Sequence, residues 1–209
     1  MHATVVGGGE PLEQTAVAAV ARGPAHRLLI AADSGYDHAC AAGLVPDVLL
    51  GDLDSISPEG LANARSRGIE IIAHPADKDA TDLTLAIELA VARGATSITV
   101  LSGGGGRLDH LLAGVLSLAT APVPIDAYVG SSHVVVVTPT RPGRLNGEPG
   151  ATLSLVAVGG DAIGVSTTGL HYPLRDERLL FGSTRGVSNV FAASVASVEL
   201  TAGTLLAIH

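Results

Sequence analysis

Aspartate and glycine gather in this sequence where aliphatic runs end, and three of those places carry residue types suited to phosphate chemistry. The first is VLLGDLDSISPEG, Val48 to Gly60, in which the apolar run closes on Gly51 and Asp52 and Asp54 follow at alternate positions. Backbone that stays extended through 52–54 turns both carboxylates to one side. Two anionic oxygen donors at a strand tip suit a hard cation. The second is HPADKDATDLTLAIELA, which sets Asp77, Asp79 and Asp82 around Lys78, the single lysine of the chain. Carboxylates crowded at a helix start repel one another, so a cation is expected there, and Lys78 either meets phosphate as a point charge or offsets the repulsion. A plainer alternative is that Asp79 or Thr81 caps the helix and Asp82 complements its dipole. The third, LSGGGGRLDHLLAG, places Gly103, Gly104 and Gly105 ahead of Arg107, Asp109 and His110. Exposed N–H groups at a helix start attract anions, and Arg107 adds a planar fork for phosphate. The stretch lacks the Gly-Lys-Ser/Thr ending of a P-loop and the spacing of a dinucleotide fingerprint.

Toward the C-terminus, GLHYPLRDERLLFGSTRGVSN supplies Tyr172, Ser183, Thr184, Ser188 and Asn189, residue types that also serve in ordinary turns. His110 and His171 have no second histidine at ligand spacing and are read as hydrogen-bonding residues.

These residues need elements to position them. Through the first two thirds of the chain, short aliphatic runs alternate with amphipathic segments. Strands are expected at 3–6, 27–32, 47–50, 69–73 and 97–101. Helices are expected at 11–21, stopped by Gly23 and Pro24, and at 36–42, 58–67, 83–92 and about 107–118. Strands with helical crossovers of this length make a mostly parallel sheet covered on both faces. Ligands bind beyond the carboxyl ends of such strands, where Gly7 to Gly9, Asp33, Asp52 with Asp54, the Asp77 to Asp82 cluster and the Gly103 run all fall. After Leu118 the helical period fades. Strands are expected at 125–129 and 133–138, then a Pro- and Gly-rich linker at 139–150, then short strands at 152–158, 164–168, 187–191, 195–201 and 204–208. The expected division is a catalytic α/β domain at 1–138, a linker at 139–150 and a small antiparallel β-sandwich domain at 151–209, the last too small to cover its own strands unaided.

A net charge of -8 argues against a nucleic-acid partner, because phosphate backbones are held by clustered Lys and Arg. Cys40 is the only cysteine, so the chain holds no internal disulfide. No uncharged apolar run is long enough to span a membrane, and a soluble, cytoplasmic protein with no membrane partner is expected.

Taken together, GDLDS at 51–55, KDATDL at 78–83, GGGGRLDH at 103–110, GLHYPL at 169–174 and GSTRGVSN at 182–189 resemble the thiamine pyrophosphokinase family in motif, order and spacing. The resemblance implies transfer of a pyrophosphoryl group from ATP to thiamine with release of AMP, a requirement for Mg²⁺, and a homodimer with active sites shared between subunits. Carried over by position, it implies Asp52, Asp54 and Asp82 as metal ligands with Asp79 nearby. It further implies Arg107 and Asp109 near the nucleotide phosphates and Ser188 with Asn189 in the thiamine-contacting turn; beside them, Lys78, Gly103, Gly104, Gly105 and His110 are expected at ATP and Tyr172 at thiamine. Leu53 stands where the family often has Phe. The tryptophan that some relatives present to thiamine is absent, leaving Tyr172, Phe181 or Phe191 to supply that surface. Two other functions fit parts of the pattern: a pyrophosphokinase acting on a hydroxymethyl pterin, and a non-catalytic thiamine- or nucleotide-binding regulator.

Overall fold

The structure is a computed structural model that describes residues 1–22 and 27–209. The chain divides into two compact units, Met1–Ser117 with Ala121–Ser131, and Leu118–Thr120 with Ser132–His209.

In the first unit, strand and helix alternate as the hydrophobic periods require: β1 (His2–Val6), α1 (Gln14–Ala21), β2 (Arg27–Ala32), α2 (Gly35–Ala41), β3 (Val48–Gly51), α3 (Pro58–Ser66), β4 (Glu70–Ala73), α4 (Asp82–Ala92), β5 (Ser97–Ser102), α5 (Leu108–Ser117) and β6 (Ile125–Val129). The strands lie in the order β6-β5-β1-β2-β3-β4, and every pairing among them is parallel. Val6, Leu29, Ala31, Leu49 and Leu101 turn to one face, where they pack with Ala16 and Val20 of α1, Tyr36 and Ala39 of α2 and Ala64 of α3. The pleat turns Val5, Ile30, Val48 and Val100 the other way, and all four are buried. Chain order reverses between β1 and β5, so the loops after these strands flank the switch point at which open α/β sheets bind ligands.

The second unit holds β7 (Ser132–Val137), β8 (Gly143–Asn146), β9 (Thr152–Ala157), β10 (Ala162–Thr168), β11 (Glu177–Leu179), β12 (Asn189–Val190), β13 (Val195–Glu199) and β14 (Leu205–Ile208). Two antiparallel layers form, β12-β9-β14-β7 and β11-β10-β13-β8. Their inner residues, among them Val137, Leu145, Leu153, Leu155, Phe191, Val198 and Leu205, make one core. The sandwich therefore covers its own apolar strands, contrary to the expectation from its size.

Other details also differ from the sequence reading. The unit boundary falls at 131/132 rather than after 138, because β7 pairs antiparallel with β14. Gly143 to Asn146, expected in a linker, forms β8 against β13. Helix α1 begins at Gln14 rather than Pro11. The backbone at Glu10 and Pro11 is held against Gly103, where a Cβ would fall 1.8 Å from the Glu10 carbonyl oxygen. The stop signals Gly23 and Pro24 lie outside the described residues.

Candidate active site

Each acidic residue of interest owes its position to a local feature of sequence. Strand β2 is followed directly by Asp33, which adopts a left-handed φ of 50° and is 7% exposed. Its Oδ2 accepts hydrogen bonds from the Ser55 backbone N–H at 3.2 Å and the Ser55 hydroxyl at 2.5 Å. Strand β3 ends on Gly51, whose φ of 153° is a region that L side chains rarely adopt. A Cβ there would lie 3.0 Å from Asp33 Cβ and 3.3 Å from Asp82 Oδ1, so glycine keeps open the space between those two carboxylates. Downstream, α3 is tied in place by Asp37 of α2, whose carboxylate accepts from the Ser57 N–H at 2.7 Å and the Ser57 hydroxyl at 2.8 Å. Ser57 in turn caps α3 by accepting from the Gly60 N–H at 2.9 Å. Thr81 caps α4 by accepting from the Thr84 N–H, and Asp82 therefore opens that helix at the positive end of its dipole.

The outcome is a cluster at the carboxyl edge of the sheet. Carboxylate oxygens of Asp33, Asp52 and Asp82 all lie within 4.8 Å of one another. Two ligand oxygens on opposite sides of one Mg²⁺ are about 4 Å apart, so small side-chain shifts bring this set to octahedral spacing. An all-oxygen, anionic donor set fits that ion. So does Asp33 Oδ1, which is buried and has no hydrogen-bond partner among the described residues.

Lys78 reaches into the same cluster, with Nζ 2.8 Å from Asp82 Oδ1 and 3.4 Å from Asp52 Oδ2. Burial works against the charge on Lys78, but its hydrogen bond and attraction to Asp82, joined by Asp52, hold the ammonium above its usual range. Burial likewise opposes ionisation of Asp52. The Asp54 N–H at 3.4 Å and the Lys78 charge outweigh it and hold that carboxyl below its usual range. Asp54 goes the other way: the charge of Asp52 first, then desolvation and Asp33, push it up.

Asp54 is the main departure from the sequence reading. The backbone does not stay extended through 52–54, because Leu53 takes a left-handed φ of 65°. Asp54 stays exposed at the rim, and Asp33 stands in its place among the three clustered carboxylates. Asp33 was visible as a strand-end aspartate in the stretch AADSG, but its nearness to Asp52 and Asp82 depends on β2 lying beside β3. Asp77 and Asp79 are exposed, and Lys78 pairs with Asp52 and Asp82 rather than with them.

The glycine loops after β1 and β5 lean on each other. The Glu10 N–H donates to the Gly104 carbonyl at 3.0 Å, the Ser102 hydroxyl donates to the Gly8 carbonyl at 3.1 Å, and a Cβ on Gly9 would lie 2.8 Å from the Gly104 oxygen. Gly104, Gly105 and Gly106 all have φ between 64° and 71°. Arg107 forms an exposed ion pair with Asp109 at 2.6 Å, and His110 is exposed beside them.

In the second unit, Tyr172 is 68% exposed, close in sequence to the exposed Phe181 and Val187. Ser188 is exposed at a left-handed φ of 62°, whereas Asn189 is buried. Phe191 is fully buried in the sandwich core and offers no surface to a ligand.

Comparison with known proteins gives a consistent answer. Residues 24–126 match the family model described as "Thiamin pyrophosphokinase, catalytic domain", and residues 137–205 match "Thiamin pyrophosphokinase, vitamin B1 binding domain". Thiamine pyrophosphokinase of Bacillus subtilis is 27% identical over 88% of this chain and 87% of its own length. "Thiamine pyrophosphokinase 3" of Oryza sativa is 26% identical over 75% of this chain, which spans 62% of that longer protein. Among solved structures, the B. subtilis enzyme superposes with a TM-score of 0.85 at 25% identity, covering 100% of this chain and 98% of its own. The enzyme of Geobacillus thermodenitrificans superposes with a TM-score of 0.81 at 26% identity, covering 100% and 96%. With its catalytic and vitamin-binding regions both matched in order, the chain belongs to the thiamine pyrophosphokinase family.

Proposed function

We propose that this protein transfers the pyrophosphoryl group of ATP to the hydroxyl of thiamine, giving thiamine diphosphate and AMP, with Mg²⁺ as cofactor. The observation that carries the reading is the Asp33, Asp52 and Asp82 cluster with Lys78 inside it, at the carboxyl edge of the sheet in a chain of this family. A poor nucleophile must approach a polyanion, so the site has to neutralise charge and align the attack. Asp33, Asp52 and Asp82 would hold Mg²⁺, which when bound supplies charge neutralisation on the phosphates. Lys78, the one mobile cation inside this cluster among the described residues, would turn from Asp52 and Asp82 to a phosphate oxygen when nucleotide binds. The glycine loop after β5, free of Cβ atoms, lets the backbone approach the phosphates, and Arg107 breaks its surface pair with Asp109 to reach them. The thiamine oxygen forms its bond to the β-phosphorus as the bond from that phosphorus to the oxygen bridging to the α-phosphate breaks, and that oxygen leaves with AMP. The hydroxyl proton goes to Asp54, a carboxylate exposed at the rim beside the cluster.

Tyr172 and Ser188 would meet thiamine, with the exposed phenol ring standing in for tryptophan. The active unit would be a homodimer whose sites are completed by the other subunit. An apolar stripe on α5 supports association: Leu108, Leu112 and Leu116, spaced at one helical face, are 75%, 55% and 42% exposed.

Purified protein given ATP, Mg²⁺ and thiamine should produce AMP and thiamine diphosphate in equal amounts. Product formed only from a hydroxymethyl pterin, or binding of thiamine without AMP release, would overturn the assignment.

A further inference from the structure

Asn189 sits in the GVSN turn, where an amide is expected to offer hydrogen bonds to a ligand. Its side chain is instead spent inside the protein. Asn189 is 7% exposed. Its Oδ1 accepts from the Tyr172 backbone N–H at 3.1 Å and from the Val190 N–H at 2.8 Å, while its Nδ2 donates to the Tyr172 carbonyl at 2.8 Å. Two N–H donors on one atom and a carbonyl on the other fix which end of the amide is oxygen.

The neighbouring pairs show what this achieves. Leu170 bridges Phe191 in antiparallel fashion, and the His171 N–H donates to the Val190 carbonyl at 2.9 Å. One residue further on, the partner of Tyr172 is a side-chain amide instead of a main chain. The Asn189 carboxamide acts as a substitute peptide unit that satisfies both main-chain groups of Tyr172 and extends the ladder by one step. Tyr172 is thereby fixed at its backbone while the residue stays 68% exposed. An exposed aromatic side chain whose backbone is already fixed needs less further ordering when a flat ligand stacks on it.

We infer that Asn189 is a positioning residue that does not touch thiamine and acts on its binding only through Tyr172. The inference rests on the proposed activity for the identity of the ligand, a cationic two-ring heteroaromatic suited to the face of a phenol. No other residue type serves equally: Asp keeps the two accepted bonds and loses the donated one, Leu loses all three, and Gln places the amide a carbon too far.

The test is a double-mutant cycle with thiamine affinity read by calorimetry, together with hydrogen exchange at the Tyr172 amide in the ligand-free protein. Asn189→Ala should weaken thiamine about ten-fold, as loss of a small hydrogen-bond network does, and leave the KM for ATP unchanged. The double variant with Tyr172→Ala should bind no more weakly than Tyr172→Ala alone. Factors that multiply in the double variant would overturn the inference, since they require Asn189 to contribute independently of Tyr172. Exchange at Tyr172 should quicken in Asn189→Ala; unchanged protection there also overturns it. Should Asn189→Ala fold poorly, Asn189→Asp takes its place, with a smaller loss of affinity and the same non-additivity expected. If the wild-type protein binds no thiamine, the functional reading fails, while the exchange measurement still decides whether Asn189 holds Tyr172.

Discussion

At the level of single residues, the site separates carboxylates by environment. Asp33 is buried with one oxygen lacking a partner among the described residues, Asp52 has its pKa lowered as the Asp54 N–H and Lys78 outweigh burial, and Asp54 is exposed with a raised pKa. On the proposed mechanism, identical side chains would take different tasks, metal ligation inside and proton acceptance at the rim. Substituting them should separate those tasks. Asp33→Asn should raise the Mg²⁺ concentration needed for half-maximal rate and cut turnover at least about a hundred-fold. Asp54→Asn should lower kcat with that Mg²⁺ concentration unchanged. Initial rates over a Mg²⁺ series settle the matter, and an equal shift in Mg²⁺ dependence for both variants would place Asp54 among the ligands.

Elements position these residues through a few polar clamps. Asp37 of α2 and Ser57 at the start of α3 form one network, so the loop carrying Asp52 and Asp54 is tied to α2 on its downstream side. Asp37→Ala should cost about 1–2 kcal/mol of stability and Ser57→Ala about 1 kcal/mol. The double variant should cost less than their sum, because each removes the other's partner; chemical denaturation of the three variants measures this, and simple additivity would show that the two caps act separately.

Strands β7 and β14 carry a second device of this kind. His133 and His209 exchange backbone hydrogen bonds at 2.7 and 3.0 Å, and their rings meet with Nδ1 of His133 3.1 Å from Nε2 of His209. Burial first, then His133, depresses the pKa of His209 below 6.5. A depressed histidine favours the neutral folded form: its contribution is complete above about pH 6.5 and is lost as pH falls toward the folded value. Thermal melts should show the second unit losing stability as pH drops from 7 toward 5, and His209→Gln should reduce that slope. A slope unaffected by the substitution would rule out His209 as its source.

For the whole molecule, the uncovered apolar stripe of α5 and the exposed Tyr172 and Phe181 are surfaces that the chain does not bury against itself. A two-fold assembly gives an economical way to cover them, and the proposed shared sites make it testable by complementation. Asp52→Asn and Tyr172→Ala chains, each nearly inactive at low thiamine, should recover activity after subunit exchange, approaching one intact site per mixed dimer. Verified exchange without recovery would confine each complete site to a single chain.

Most of the first unit was legible in the sequence because its cause is local. Periods of two and of 3.6 alternate cleanly from Ala3 to Leu118, and parallel strands joined by helices allow few arrangements. The Thr81 cap, one of the two alternatives at that helix start, was readable for the same reason, since its side chain and the N–H it satisfies lie three residues apart. Tertiary structure decided what depends on distant segments meeting. It placed Asp33 with Asp52 and Asp82 through the β2–β3 pairing, and it moved Asp54 outward through the left-handed turn at Leu53. It assigned β7 and β8 to the sandwich, because their antiparallel partners β14 and β13 lie far along the chain, Val195 opposite Asn146 and Leu205 opposite Val137. It also turned the Asn189 amide inward, to the backbone of a residue 17 positions away. Spacing along a chain predicts contacts only within one element, and each of these contacts joins two.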